Sequence, residues 1–218
     1  PAKSDLRQWE WYYLRSLLPG NSIAEGELTA NIYYNDFCWT ASPLRLYRPG
    51  NKYVSVWDPA ELRETRRIGR QEDGILSCDV HEASGRVATG PDGDDSIKIW
   101  DLKTGDLITS LGTAPKGPEG AIFWMRWSPD GRLLATFDGA RYLKIWNVDE
   151  QEPLAQCVVS DFHPQYHTPQ WSPTSREVAV LLLPWKHVLI LGTDNATHRL
   201  ETEGFFNSIA WDQSGTSL

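Results

Sequence analysis

Cysteine is scarce in this sequence. Cys38, Cys78 and Cys157 lie 40 and 79 positions apart. An odd count without close pairs fits neither a disulfide framework nor a cysteine zinc site, and buried reduced thiols are the ordinary reading. Long apolar runs are missing too. The most apolar stretch, VAVLLLPW from Val178, is far short of the roughly 18 residues that span a bilayer, and no signal-peptide pattern opens the chain. Direct membrane insertion by this segment is therefore not expected. Basic charge is outweighed, 21 Lys and Arg against 29 Asp and Glu, for a formal charge of −8. Such a surface repels phosphate backbones, so nucleic acid is not an expected partner. No G-x-G-x-x-G, P-loop, His-Arg-Asp, Asp-Phe-Gly or G-x-S-x-G motif occurs. The expectation is no catalytic residue, no cofactor and no metal.

Tryptophan is abundant, at 11 of 218 residues, and 17 Gly and 14 Pro are spread along the chain, so turns are frequent. An apolar share of 40% and a charged share of 23% place the chain among globular proteins rather than disordered ones. An alternating run ending in Trp recurs: YVSVWDPAEL from Tyr53, SIKIWDLKTG from Ser96 and YLKIWNVDEQ from Tyr142. Trp57 to Trp100 is 43 residues and Trp100 to Trp146 is 46; a further 45 leads to Leu191 in HVLILGTDNA. A second marker precedes each run: CWTASPLRLY from Cys38, CDVHEASGRVATG from Cys78, MRWSPDGRLLATF from Met125 and PQWSPTSREVAVL from Pro169, with IAWDQSG from Ile209 opening another. Segments of the Ser-Pro-Asp-Gly type are tight turns between apolar strands.

The third copy displays one unit. Strand a is Ile122 to Trp127, the turn Ser128–Gly131, strand b Arg132 to Phe137, a loop Asp138–Arg141, strand c Tyr142 to Trp146, a turn Asn147–Pro153, and strand d near Leu154–Val159. Four short antiparallel strands repeating at about 45 residues describe a β-propeller blade.

These residues resemble the WD-repeat propellers, through Trp57-Asp58, Trp100-Asp101 and the looser Trp146-Asn147. The resemblance implies an all-β, partial propeller of about four four-stranded blades. Units are expected at 33–69, 70–117, 118–162 and 163–203, the first shortened, with a further start at 204–218; residues 21–218 make the propeller. It also implies a buried hydrogen-bond set of a Gly-His histidine, a strand-b Thr, a loop Asp and the strand-c Trp. Unit 2 keeps Thr89, Asp94 and Trp100; unit 3 keeps Thr136 and Trp146 but has Ala140 at the Asp position. No unit keeps the histidine: Gly117-Pro118 stands in its place in unit 3, and Arg70 near it in unit 2. The set is therefore expected to be partial, with packing resting more on apolar contact.

The chain begins at Pro1 and stops inside a strand b, so a fragment of a longer protein is expected, with exposed strand edges and a tendency to self-associate. At the other end, Leu6, Trp9, Tyr13 and Leu17 are spaced as a helical face, capped by Ser4 or Asp5 and stopped by Pro19-Gly20, giving a helix within residues 1–20. Two readings of it stand, packing on the propeller and binding a partner. This stretch looks like the one ahead of propellers in large bacterial WD-repeat proteins, some of them linked to a Ser/Thr kinase.

Candidate functional residues are few. The b–c loops of propellers cluster on one face, and here they carry Asp92, Asp94 and Asp95, then Arg141, then Trp185, Lys186 and His187. A loop Trp beside charges is the kind of anchor interfaces favour, although Trp185 also suits a place between blades. Arg63, Arg66, Arg67 and Arg70 form a basic patch, read either as edge protection or as a site for phosphate or an acidic partner. His163 and His167 lie in a proline-rich loop, which argues against a shared metal. Asn195-Ala196-Thr197 spells a glycosylation acceptor, meaningful only with secretion. The leading expectation is a noncatalytic interaction scaffold for a protein or peptide, cytoplasmic. The alternatives are a sensor or docking region of a bacterial kinase and a propeller enzyme with a channel site.

Overall fold

The computed structural model describes residues 37–61, 63–72, 74–92, 96–112, 117–160, 169–182, 186–201 and 208–218. The helix expected within residues 1–20 lies outside them; among the described residues there is no α-helix, only a 3-10 turn at Pro118–Gly120.

Among the described residues sixteen strands form four antiparallel sheets, each paired in sequence order. Blade 1 holds β1 (Cys38–Ala41), β2 (Leu44–Pro49), β3 (Val54–Asp58) and β4 (Arg63–Ile68). Blade 2 holds β5 (Ile75–His81), β6 (Arg86–Pro91), β7 (Ile97–Asp101) and β8 (Leu107–Leu111). Blade 3 holds β9 (Ile122–Trp127), β10 (Leu133–Asp138), β11 (Tyr142–Asn147) and β12 (Glu152–Val158), and blade 4 β13 (Gln170–Trp171), β14 (Glu177–Leu182), β15 (His187–Gly192) and β16 (Thr197–Glu201). The first unit, expected to be shortened, holds all four strands. Its first two strands are joined by residues 42–43 alone, with Ala41 opposite Leu44. In blade 3, β12 starts at Glu152, two residues before the expected strand, because the Asn147 turn closes tightly: the Gln151 amide donates to the Asn147 carbonyl at 2.9 Å, with Gln151 at φ 61°.

Burial explains the apolar stretches of the second strands of blades 3 and 4, LLATF and VAVLL. β10 and β14 are buried along almost their whole length, because β10 has a neighbouring sheet on each face and β14 lies between blade 3 and the segment of Ile209 and Trp211. The fourth strands lie outside: β16 is exposed throughout, and Val158 of β12 is 61% exposed. Apolar clusters fill each joint. Tyr47, Val54 and Val56 of blade 1 pack with Cys78, Val87 and Trp100 of blade 2. Ile97, Ile99 and Leu111 of blade 2 pack with Met125, Trp127 and Trp146 of blade 3. Trp124 and Ile145 of blade 3 pack with Val178 and Leu191 of blade 4, and Ile209 and Trp211 cover the far face of blade 4. At about 1.5–3 kcal/mol per fully buried large apolar side chain, these joints dominate the stability.

Candidate functional site

The signature tryptophans support the scaffold from inside. Trp100 and Trp146 are 6% and 7% exposed, and their indole Nε1 groups donate to Thr89 Oγ1 at 2.8 Å and Thr136 Oγ1 at 2.9 Å. The Thr89 hydroxyl in turn donates to Gln71 Oε1, and Gln71 is fully buried. Gln71, not Arg70, thus takes the place expected of the histidine: its amide oxygen accepts the same proton that a ring nitrogen would. Arg70 stays exposed. The glycines also differ from expectation. Gly69 and Gly112, both at positive φ, end the strands before the joints, and a Cβ there would come within 2.6 Å of the Trp100 ring and 2.7 Å of the Trp146 ring. Gly117 instead starts the 3-10 turn. The signal for Gln71, Gly69 and Gly112 was their spacing to the strands, which residue type masked.

Blade 1 solves the same problem differently. Trp57 is half-buried and donates to Ser55 Oγ at 3.1 Å, because Arg48 occupies the β2 position that Thr89 and Thr136 hold in β6 and β10. In blade 3, where Ala140 stands at the Asp position, the buried carboxylate is Asp138, which accepts from the Tyr142 amide at 2.8 Å and Lys144 Nζ at 2.7 Å. Asp94 lies outside the described residues.

The residue after each tryptophan closes the next turn. Asp58 Oδ1 accepts from the Ala60 and Glu61 amides, Asp101 Oδ1 from Lys103 at 2.8 Å and Thr104 at 2.7 Å, and Asn147 Oδ1 from Asp149 and Glu150. The Thr104 and Lys103 amides hold the Asp101 carboxyl below its usual range. Asn147 does the same work uncharged, so this position needs an acceptor oxygen rather than a charge.

A second tryptophan series joins blade to blade. Trp127 Nε1 donates to the Asp79 carbonyl at 3.3 Å, Trp171 Nε1 to the Arg126 carbonyl at 3.0 Å, and Trp211 Nε1 to the Gln170 carbonyl at 3.0 Å. Each indole reaches the first strand of the preceding blade. Asp79 adds a buried carboxylate that accepts from the Trp127 amide at 2.7 Å and Arg126 Nη1 at 3.1 Å. Burial pushes this carboxyl up, against the opposing pull of Arg126.

The loop face carries exposed charges of both signs. Asp92 projects from blade 2, its amide donating to Gly74 O at 2.9 Å, while Ile75 N donates to Gly50 O at 3.1 Å. In blade 3, Gly139 and Ala140 amides donate to the Ala121 and Glu119 carbonyls, and exposed Arg141, at φ 67°, reaches Ser160 O at 3.3 Å. Lys186 and His187 stand at the start of β15, with His187 Nδ1 3.5 Å from Glu201 Oε1. The structure places these residues at corresponding ends of separate blades on a braced platform. Asp95, Trp185, His163 and His167 lie outside the described residues. Among the described residues no three His, Cys, Asp or Glu side chains gather to hold a metal ion.

The arginines divide. Arg63 and Arg67 pair with Glu61 and Glu64 at 2.5 and 2.6 Å, whereas Arg66 reaches the next blade, donating to the Leu102 carbonyl and to Lys103 O at 2.9 Å. Beside it a groove of about 460 Å³ opens between blades 1 and 2, floored by Tyr47, Val56 and Leu102 and rimmed by Arg45, Arg66 and Lys103. Burial raises the Tyr47 phenol above its ordinary range. Beneath the same joint the Cys38 and Cys78 sulfurs meet at 3.7 Å, both buried, and burial pushes the Cys38 thiol up.

Comparison with known proteins gives a consistent picture. Residues 63–101 and 106–147 match the family described as WD domain, G-beta repeat. The chain is 31% identical over 105 residues to apoptotic protease-activating factor 1 of Homo sapiens, covering 48% of this chain and 8% of that protein. It is 36% identical over 89 residues to WD repeat-containing protein 1 of Gallus gallus, covering 41% and 14%. It is 25% identical over 117 residues to nuclear distribution protein PAC1 of Arthroderma otae, covering 49% and 24%. The matched stretches therefore span under a quarter of each relative. A chain in a crystal structure of the mitotic checkpoint complex aligns with a TM-score of 0.60 at 15% identity, over 84% of this chain and 58% of that one. At that identity the likeness is one of fold.

Proposed function

We propose that this chain, whose residues 63–101 and 106–147 match WD40 repeats, is a noncatalytic scaffold holding a protein or peptide partner on its loop face. WD-repeat proteins generally act as protein-interaction scaffolds. The observation that carries the reading is the bracing of that face: backbone hydrogen bonds tie residues 50, 74–75 and 92 into one run, and 119–121 and 139–140 into another. Braced loops lose little conformational freedom when a partner docks, so exposed Asp92 and Arg141 are presented in fixed positions. The signature tryptophans and acids are engaged internally and are spoken for structurally. No described residue favours kinase docking or channel catalysis over this reading.

The test is affinity capture with the tagged full chain, comparing the wild type with Asp92→Arg and Arg141→Glu. The expected result is one or more specific proteins lost in a charge-reversed variant that still melts normally. Capture of the same proteins by wild type and both variants would overturn the loop-face assignment.

A further inference from the structure

The rim opposite the loop face is continuous except at one joint. Between blades 2 and 3 the turn tips touch: His81 Nε2 lies 3.2 Å from the Pro129 carbonyl, and a Cβ on Gly131 would strike the His81 ring at 2.3 Å. Between blades 3 and 4 the Asp130 amide donates to Ser175 Oγ at 3.2 Å. A Cβ on Gly215 would meet Thr174 at 3.0 Å, so the tip after blade 4 is seated the same way. At the joint between blades 1 and 2 a shortened turn and one substitution in the repeat remove this closure. The blade 1 turn is only residues 42–43, and a Cβ on Gly85, next to Ser84 at the register position of Gly131, meets nothing within 4 Å. Blade 2 also has Val80 at the register where blades 3 and 4 carry Trp127 and Trp171. Those indoles cross to the preceding blade; a valine is too short to do so. Val80 and Leu102 pack against the cluster that holds Tyr47 and Val56, two residues that floor the groove.

We infer that this groove is a docking site for an aromatic residue flanked by carboxylates on a segment of a partner protein. Its floor is apolar and in part aromatic, in the place where the repeat elsewhere seats an indole. Its volume of about 460 Å³ lies within the usual range for a ligand pocket. Its rim carries Arg66 and Lys103, with Arg45 paired to Asp58 at 3.0 Å and Asp101 the one acidic residue among the described lining residues, in a chain whose net charge is −8. This local reversal of sign selects an acidic segment, while the floor selects the aromatic anchor. The inference rests on the scaffold reading but uses a different surface.

The experiment is fluorescence polarisation of a fluorescein-labelled Glu-Asp-Trp-Asp-Glu peptide against the full chain. Saturable binding is expected, weakened at least about tenfold by Ala in place of Trp in the probe, and by an Arg66→Glu/Lys103→Glu double variant. Val80→Trp, which supplies the missing indole from within, is expected to abolish probe binding without lowering the melting temperature. Should that variant unfold, the double charge reversal on the exposed rim still decides the matter. No saturable binding, equal binding of the Trp and Ala probes, or binding indifferent to the rim charges would each overturn the proposal. Asp92→Arg should leave the probe affinity unchanged. A failed probe beside intact, loop-dependent capture therefore removes the groove alone, whereas failed capture beside an intact groove removes the loop-face reading alone.

Discussion

The joint between blades 2 and 3 and the joint between blades 1 and 2 are built from the same repeat, yet one is sealed and the other open. Both share a glycine under an indole, Gly112 against Trp146 and Gly69 against Trp100. Both bury an apolar cluster. The sealed joint adds the Trp127 indole on the Asp79 carbonyl, the Asp79–Arg126 pair, and the buried Ser77 hydroxyl on Ile122 O at 2.6 Å. The open joint has Val80, a two-residue turn, a thiol contact and an exposed Arg66 strap. Repeats therefore need not be energetically equal. Where a joint keeps its apolar floor, it can lose its polar clasp and still hold, leaving surface free for another use.

The comparison is broken most strongly by Trp127→Ala. Removing an indole that is 6% exposed should cost about 3–5 kcal/mol by chemical denaturation, with Val80→Ala costing far less. Next comes Gly112→Ala, where positive φ and a Cβ 2.7 Å from an indole ring combine for a loss of about 2–4 kcal/mol. Gly69→Ala should match it, because this contact is common to both joints; a clear difference in melting temperature would show that the joints differ more deeply. Thr136→Ala leaves the buried Trp146 N–H without its acceptor and should cost about 1–3 kcal/mol. Arg66→Ala removes an exposed strap and should cost only about 0.5–1 kcal/mol, measured the same way. The smallest effect concerns pH. Asp101 has a folded pKa below 3.8, so its contribution is present above that value and is lost as pH falls through the lower folded pKa. Asp101→Asn keeps the turn acceptor and should shed this dependence, so the gap between variant and wild type in urea titrations should narrow below pH 3.8.

Much of this was legible in the residues. The Trp57, Trp100 and Trp146 spacing announced the blades, and the Ser128–Gly131 turn announced the hairpins, because strand alternation and turn chemistry are local. The internal hydrogen-bond partner was harder. Gln71 replaces a histidine while keeping only what the site demands, a buried acceptor for the Thr89 proton. A search by residue type passes over it. Cys38 and Cys78, 40 residues apart, gave no hint of contact, since their meeting depends on two sheets stacking. The groove was equally hidden, for it arises from a short turn and a missing indole on adjacent blades.

Along the chain, the order of strands and turns, the apolar faces and the repeat itself were determined by the sequence, because side-chain period and turn preference act over a few residues. Which tryptophans clasp a neighbour, which carboxylates become buried, and which joint stays open were decided only in the tertiary structure. Those outcomes depend on residues about 45 positions apart being brought face to face, and on whether the side chain at each register is long enough to cross the gap.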